Sequence, residues 1–222
     1  MYDDIKRKNY FFWYILSFFN VKVISFSRKI NEQCENHNIN FIYLKYFPKV
    51  KKIKIKRKKK FSIFFWYRGT VKISDWIYSI DKNKVKEIIY FNLKDPNFVN
   101  EKINKKLKKN YNIKFFQGGY GKKDHIYKKL ITRSDIYIAP REREGIGHSF
   151  LEAMSEGKYI VSKNEETMNE YISSKKIGSF FGEKINLENV FDNQKARIRL
   201  IKKLNQNWEK NKIKIVTFIK EI

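Results

Sequence analysis

Short apolar runs that alternate with polar, helix-like segments constrain the fold of this chain more than any other feature. The clearest run is FSIFFWY at residues 61–67, which is almost continuously apolar, as in a strand buried on both faces. Helix-like patterns separate most of the later runs, which predict strands at residues 85–92, 112–119, 135–140, 158–162 and 177–181. Strands that alternate with helices predict a parallel sheet with right-handed crossovers, and therefore an α/β fold.

The polar segments between these runs carry the predicted helices. Their patterns favour helices at residues 101–110, 124–134 and 167–174, with Thr167 at an N-cap. We expect residues 61–193 to form one ligand-binding domain. The tail, residues 194–222, is predicted to be helical with an interruption near residues 205–207.

The N-terminal part, residues 1–48, is too short to form a domain of this kind alone. Residues 21–48 read as strand, helix and strand, which predicts the remnant of a larger α/β domain. The apolar run at residues 10–19 is shorter than the roughly 20 residues that cross a bilayer. We expect this run to be a buried or interface segment, and a segment that dips into a membrane is the alternative.

A strongly basic segment follows at residues 49–60, where nine of twelve positions are Lys or Arg. Such a block repels itself and stays solvated, which predicts a linker or hinge between the two parts of the chain. The alternation KIKIK within it would also suit an exposed edge strand.

The whole chain carries a net charge of +26, which favours anionic partners such as phosphates, nucleic acid or acidic lipid head groups. Compositional drift towards lysine is the alternative explanation, and no nucleic-acid-binding motif accompanies the charge, so nucleic acid is the less favoured partner. The single cysteine excludes an intrachain disulfide framework and indicates a reducing, cytoplasmic compartment.

Glycines cluster at the edge of the predicted sheet where ligands are expected. In open α/β sheets, ligands bind beyond the carboxyl ends of the strands. Five glycines lie at or just after the ends of predicted strands, namely Gly69, Gly118, Gly119, Gly145 and Gly147. This agreement predicts a binding site at that edge.

The segment REREGIGHSFLEAMSEGKYIV, residues 141–161, supplies suitable chemistry for such a site. A helix that begins there would offer free backbone N–H groups to a phosphate, and Gly145 and Gly147 would allow a close approach. Glu144 precedes this helix and Glu152 lies on its first or second turn, where carboxylates can accept hydrogen bonds from sugar hydroxyls. The segment therefore fits recognition of a nucleotide sugar.

A purely structural interpretation of the same segment stays open at this point. Glu144 could simply favour the helix N-terminus, Glu152 could be a solvated helix residue, and Gly157 could be an ordinary C-terminal cap. If the phosphate interpretation is right, replacing Gly147 by valine should block a diphosphate and leave the fold intact.

The segment also resembles the donor-binding signature of GT-B glycosyltransferases, in particular the retaining group 1, family 4-like enzymes with two Rossmann-like domains. That signature has a glutamate, seven residues, a second glutamate, then Ala-Met and a glycine before a strand. Glu144 and Glu152 match the glutamate pair. The flanking positions are matched by Gly145, Gly147, Ala153, Met154 and Gly157.

The resemblance covers about residues 61–182, and residues 21–48 resemble the last part of the family's N-terminal domain. It implies the C-terminal half of a GT-B fold, a Rossmann-like parallel sheet flanked by helices, preceded by a partial N-terminal α/β remnant. Residues 61–193 would then be the nucleotide-sugar-binding domain.

The resemblance also implies roles for individual residues. Glu152 would bind the ribose of the donor, and Glu144 would contact the transferred sugar. The diphosphate and the rest of the donor would be held by Gly118, Gly119, Gly145, Ile146, Gly147 and His148. Arg68 and Lys72 would neutralise the leaving diphosphate in place of a metal ion, so no metal or other cofactor is expected. The spacing around Lys72 is one residue shorter than the family's usual form.

The implied activity is transfer of a hexose, with retention, from a UDP- or GDP-linked donor to a glycan or lipid-linked acceptor. The expected setting is lipopolysaccharide, capsule or other surface-glycan biosynthesis in the cytoplasm, at the inner face of the plasma membrane. Most of the acceptor domain is absent, so a fragment, a separate chain supplying the N-terminal domain, and an inactive remnant remain open. A basic module that binds nucleic acid or anionic membrane is the alternative function.

Overall fold

A parallel sheet of six strands forms the centre of the molecule. The computed structural model describes residues 10–55, 57–93, 101–118 and 124–220. The strands are β1 (Val23–Ser25), β2 (Phe41–Tyr43), β3 (Phe61–Tyr67), β4 (Val85–Leu93), β5 (Ile113–Gly118), β6 (Ile136–Ile138), β7 (Tyr159–Ser162) and β8 (Gly178–Phe180). The helices are α1 (Tyr10–Phe18), α2 (Arg28–Asn36), α3 (Lys105–Asn110), α4 (Asp124–Arg133), α5 (His148–Ser155), α6 (Met168–Tyr171), α7 (Gln194–Asn211) and α8 (Ile213–Lys220).

The direction in which the chain adds strands to the sheet reverses between β3 and β6, and we call this position the reversal point. Neighbouring strands follow the order β5–β4–β3–β6–β7–β8, and every pair is parallel. The chain therefore builds outward from β3 to β5, crosses to the other side of β3, and continues from β6 to β8. This topology confirms the predicted α/β fold with a Rossmann-like parallel sheet, and open sheets of this kind bind ligands at the reversal point.

Alternating residues of β3 fill two separate cores, one on each face of the sheet. Ile63 and Phe65 belong to the core on one face, whereas Phe64 belongs to the core on the other face. The second core also contains Leu130 of α4 and Leu151 of α5, so these helices cover that face. Burial on both sides explains why the run at β3 is apolar without alternation.

The N-terminal segment forms a small α/β unit, as the sequence predicts. Strand β1 pairs with β2 in parallel, and α2 connects them. The apolar run at its start forms α1, in which Trp13 is buried against Ile30, Cys34 and Ile39. The expectation of a buried segment holds for one side of α1 only, because Tyr10 and Phe18 on the other side are exposed.

The carboxylate of Glu170 joins this N-terminal unit to the rest of the chain. Its side chain is fully buried, and it accepts hydrogen bonds from the backbone N–H groups of Arg28 (3.0 Å) and Thr167 (3.1 Å). The hydroxyl of Tyr43 donates a third, short hydrogen bond to the same carboxylate. One buried side chain therefore ties α2, β2 and the N-cap position of α6 together.

The basic segment at residues 49–60 is mostly exposed, but some of its residues contact the domain. Lys58 forms an ion pair with Asp135 at 2.7 Å, Lys51 pairs with Glu156, and Ile53 packs over Gly157. The described part of this segment contains no strand, so the edge-strand alternative is wrong there. Most of its described residues are exposed, as expected of a solvated block, and the role of a linker or hinge stays a prediction.

The C-terminal helices differ from the predicted pattern. Helix α7 runs unbroken through residues 205–207, and the break falls at Lys212 instead. Leu204 and Trp208 pack against the core, and the amide of Asn205 donates to the carbonyl of Pro48 at 3.2 Å. These contacts outweigh the low helix propensity of asparagine.

Replacing Glu170 by alanine should lower the free energy of unfolding by about 2–4 kcal/mol, because buried N–H donors lose their acceptor. Urea unfolding measures the effect. Glu166→Ala is the matched control, since this neighbouring carboxylate is partly exposed and lies 3.8 Å from the ammonium group of Lys29. Equal losses in the two variants would contradict the assignment of Glu170 as the connecting group.

Candidate functional site

The two loops selected from the sequence lie next to each other at the reversal point of the sheet. One loop follows β3 and carries Arg68, and the other follows β6 and leads into α5. The hydroxyl of Thr70 donates to the carbonyl of Pro140 at 3.4 Å, which links the loops directly. The predicted cationic and acidic residues are therefore delivered to one edge, where ligands of such sheets bind.

Gly147 shapes the entrance to α5. Its backbone is left-handed, with φ of 69° and ψ of 42°, and it occupies the N-cap position. A Cβ atom at this position would lie 2.1 Å from the ring of Phe150. Residues with side chains rarely adopt this conformation, so glycine is required here for the fold itself. The expectation that valine at this position leaves the fold intact is therefore wrong.

The other end of α5 is closed by a Schellman motif. The N–H of Gly157 donates to the carbonyl of Met154 at 2.8 Å, and the N–H of Lys158 donates to that of Ala153 at 3.2 Å. Gly157 has φ of 80°, which confirms its predicted role as a C-terminal cap. A well-capped helix holds its N-terminus, and the N–H groups there, in a fixed position.

Two tyrosines with buried hydroxyl groups interact with the predicted glutamates and with Arg68. Burial raises the pKa of Tyr137, and its phenol interacts electrostatically with Glu144 and Arg68. Burial raises the pKa of Tyr127 as well, and its phenol interacts with Glu152 and Arg68. Arg68 therefore acts electrostatically on both phenols, whereas Glu144 acts on Tyr137 and Glu152 acts on Tyr127.

The glutamates differ in their access to solvent. Glu144 is half-buried in the loop before α5, whereas Glu152 is exposed on the helix. Both carboxylates are therefore at least partly accessible from solvent. Carboxylates in such a position can accept hydrogen bonds from the hydroxyls of a bound sugar.

The guanidinium of Arg68 lies over the ring of an aromatic neighbour. Its central carbon is 4.5 Å from the centre of the Trp66 ring, and Trp66 packs against Tyr127 at 4.9 Å between ring centres. Stacking on an aromatic face restricts the guanidinium while leaving its N–H donors available. The guanidinium of Arg68 is therefore preorganised to bind an anion.

Lys72 has a different set of neighbours. Its backbone N–H donates to Asp75 at 2.7 Å, and its charge acts on Glu101, a half-buried carboxylate at the β4 side of the loop. Glu101 also accepts hydrogen bonds from the N–H of Ile73 (2.9 Å) and the hydroxyl of Tyr90 (3.2 Å). Glu101 thereby fixes the loop that carries both cations.

The remaining predicted residues are placed as follows. Gly118 is the last residue of β5, and Gly119 lies outside the described residues. Gly145 and Ile146 lie half-buried in the loop before α5. The exposed ring of His148, the first residue of α5, lies 5.2 Å from the ring of Tyr46. The ligand contacts predicted for these residues stay predictions.

Across the described ranges, no group of three or more His, Cys, Asp or Glu side chains is arranged to hold a metal ion. In the same part of the chain, no helix is long and apolar enough to cross a membrane. The expectation of donor binding without a metal stays a prediction.

A cavity of about 400 Å³ lies at the opposite edge of the sheet. Its lining includes Lys51 and Ile53 of the basic segment, together with Glu156 and Arg197. The guanidinium of Arg197 is buried and already donates to several backbone carbonyls, including that of Val190 at 2.8 Å. This cavity is distinct from the loops at the reversal point, and the Lys51 ammonium in its lining is paired with Glu156.

Sequence reasoning missed Tyr127, Tyr137, Trp66 and Glu101 as parts of the site. The first three stand in apolar runs or helical stripes, where an aromatic residue is expected to belong to the core. Glu101 stands in a polar, lysine-rich segment, and no local pattern marks it as buried. Its role depends on contacts with residues 73 and 90, which are distant in sequence.

Replacing Glu101 by glutamine should change the pH dependence of stability. Burial raises the pKa of Glu101 above its ordinary value, so the folded state binds the proton more tightly than the unfolded state. Stability from this group is present at acid pH and is lost as pH rises through its pKa in the folded state. Thermal unfolding between acid and neutral pH should show that loss in the wild type and not in Glu101→Gln.

The exposed Glu188, changed to glutamine in the same way, is the matched control for this experiment. Glu188→Gln should keep the wild-type pH profile. Parallel profiles for the wild type and Glu101→Gln would contradict the burial of the Glu101 carboxylate.

Comparison with known proteins gives one family match. The profile of the family described as "Glycosyl transferases group 1" matches residues 95–215, which is more than half of the chain. Among curated proteins, no sequence matches the chain significantly.

Several solved structures share the fold. A glycosyltransferase from Rickettsia africae aligns with a TM-score of 0.64 at 16% identity over 97% of this chain. S. aureus TarM, solved with UDP, aligns with a TM-score of 0.61 at 16% identity over 95% of this chain. WaaG, described as a glycosyltransferase involved in lipopolysaccharide biosynthesis, aligns with a TM-score of 0.52 at 17% identity over 85% of this chain.

The chain spans only part of these proteins. It covers 69% of the Rickettsia protein, 58% of WaaG and 46% of TarM. At such low sequence identities the likeness establishes the shared fold and leaves substrates and partners to be inferred from the residues of this chain.

Proposed function

This chain belongs to the group 1 glycosyl transferase family, and from that premise we propose that it binds a nucleotide-diphosphate sugar and serves in transfer of the sugar. The observation that carries the proposal is the adjacency of the loops after β3 and β6, which Thr70 and Pro140 link and which carry Arg68 and Glu144. These loops lie at the reversal point of a sheet with the fold of GT-B glycosyltransferases.

Each of the groups at this edge of the sheet suits one part of such a donor. Glu152, exposed on α5, would accept hydrogen bonds from the ribose, and Glu144 would hold the hydroxyls of the transferred sugar. The N–H groups at the start of α5 and the guanidinium of Arg68 would hold the diphosphate. Gly147 brings that helix N-terminus close to the ligand without an intervening side chain.

The same groups would assist departure of the diphosphate. When the bond to the sugar breaks, negative charge increases on the leaving phosphate oxygen. The helix dipole and Arg68 lie fixed on that side and would stabilise this charge, a role that a metal ion fills in other transferases. Lys72 lies farther along the same loop, and its charge acts on the carboxylate of Glu101. We include retention of configuration in the proposal on the basis of the family resemblance alone.

The proposals for the acceptor and the cellular setting are based on the solved structures that share the fold. S. aureus TarM was solved with UDP, which supports a UDP-linked donor over a GDP-linked one. WaaG is involved in lipopolysaccharide biosynthesis, which supports a glycan or lipid-linked acceptor of this class. We place the protein in the cytoplasm, in contact with an anionic membrane where such an acceptor is found.

The second candidate function, a basic module for nucleic acid, is supported by the net charge of +26. The described structure weakens this candidate, because two lysines of the basic segment are paired with carboxylates of the domain. Binding of this kind should fall steeply with salt. Absence of salt-dependent binding to RNA and DNA would exclude it.

Calorimetry with UDP, 2′-deoxy-UDP and uridine tests the phosphate-binding and ribose-binding parts of the donor site separately. Arg68→Ala should weaken UDP binding about tenfold and leave uridine binding unchanged, because the lost charge-assisted bond is to phosphate. Glu152→Ala should weaken UDP binding by a similar factor and remove the preference for UDP over its 2′-deoxy form.

Glu209→Ala is the matched control, because this exposed carboxylate on α7 pairs only with Lys212. It should bind all three ligands as the wild type does. If wild-type protein binds neither UDP nor GDP, or if Glu152→Ala keeps the wild-type preference for the ribose, the proposed donor site is wrong.

A further inference from the structure

The loop that carries Glu144 is anchored at both of its ends. At the β6 end, the carbonyl of Pro140 accepts a hydrogen bond from the hydroxyl of Thr70 at 3.4 Å. At the other end, Gly147 takes the N-cap position of α5. Residues 141–146 between these points form neither helix nor strand. The position of Glu144 therefore depends on the contacts that hold the middle of this loop.

Two ion pairs hold the middle of the loop against the segment that follows β7. The ammonium group of Lys163 lies 3.2 Å from the carboxylate of Glu142. Arg143 and Glu165 form the second pair, with 3.9 Å between Nε and the nearest carboxylate oxygen. Glu142 and Arg143 immediately precede Glu144 in the sequence. The two pairs therefore restrain the backbone next to the residue proposed to contact the sugar.

The segment after β7, residues 163–170, is a well-fixed support for these pairs. It begins directly after a strand that is buried along its whole length. The backbone N–H of Asn169 donates to the carbonyl of Glu165 at 3.0 Å. The buried carboxylate of Glu170 accepts a hydrogen bond from the N–H of Thr167 at 3.1 Å. Side chains that pair with this segment are thus attached to a defined part of the domain.

The two pairs contribute to the loop more than to the stability of the fold. The side chains of Lys163 and Glu142 are 41% and 47% exposed, and pairs of this kind add little to the free energy of unfolding. A loop whose ends are already fixed needs only a small bias to favour one conformation. Loss of a pair should therefore change the order of the loop and leave global stability almost unchanged.

We propose that Lys163 and Glu165 are positioning residues, which hold the loop so that Glu144 meets the transferred sugar. This inference rests on the proposed function, in which Glu144 contacts the sugar and Glu152 contacts the ribose. Loss of the pairs should weaken recognition of the sugar and leave recognition of the nucleoside diphosphate unchanged. Because the pairs are partly exposed, high salt should act in the same direction.

Hydrogen–deuterium exchange of the ligand-free protein, measured from milliseconds onward, tests the effect on the loop directly. Lys163→Glu replaces attraction to Glu142 by repulsion and should make exchange in residues 141–146 about threefold to tenfold faster. Adding Glu142→Lys restores the pair with its charges exchanged, and should return exchange to the wild-type rate. Both variants should keep the wild-type thermal unfolding curve.

Calorimetry tests the effect on the sugar. UDP is compared with three probes, UDP-glucose, UDP-galactose and UDP-N-acetylglucosamine, and the probe that the wild type binds best is used. Lys163→Glu should lower the affinity for this probe, relative to that for UDP, about threefold to tenfold. The affinity for UDP itself should stay at the wild-type value. The charge-exchanged double variant should recover the wild-type ratio.

Lys212→Glu is the matched control, because it makes the same change of charge at a half-exposed lysine that pairs with Glu209 on α7. It should keep the wild-type exchange in residues 141–146 and the wild-type ratio of affinities. A change in this control equal to that in Lys163→Glu would assign the effect to net charge and overturn the proposal.

Other results would also overturn the proposal. One is unchanged exchange of the loop in Lys163→Glu, and another is failure of the charge-exchanged variant to restore it. A third is an equal loss of affinity for UDP and for the sugar nucleotide, which would indicate general damage to the site. If the wild type binds neither UDP nor any of the three probes while exchange behaves as expected, the proposed function fails and the ordering of the loop by these pairs stands.

Discussion

The pairing of β3 with β6 is the constraint on which the rest of this structure depends. Strand β3 is the first strand of the central sheet, and the chain crosses beside it only after β4 and β5 are complete. That crossing leaves the loops after β3 and β6 side by side, with no strand between them. Arg68 and Glu144 approach each other for this reason, although they are distant in sequence.

The packing beneath the loops after β3 and β6 keeps these loops in place. The guanidinium of Arg68 lies over the ring of Trp66, which packs against Tyr127, and Phe64 packs against both Tyr127 and Tyr137. Glu101 fixes the β3 loop from the β4 side through Ile73. A donor would therefore meet groups that are already oriented, which reduces the entropy lost on binding.

Much of this arrangement could be predicted from the sequence. The apolar run at β3 matches its strand residue for residue, and the Glu144–Glu152 spacing placed one carboxylate before a helix and one on it. The unpredicted parts depend on long-range contacts. Nothing local marks Glu101 as buried or Tyr137 as part of a site, and the asparagines near residue 205 favoured a break that tertiary packing prevents.

The central claim is that a nucleotide diphosphate binds at the reversal point of the sheet, against α5. Hydrogen–deuterium exchange with and without UDP tests it most directly, because it reports protection along the whole chain. We predict that UDP slows exchange in residues 68–73 and 144–152. Protection confined to the cavity at the opposite edge, in residues 51–54 and 194–197, would contradict the account.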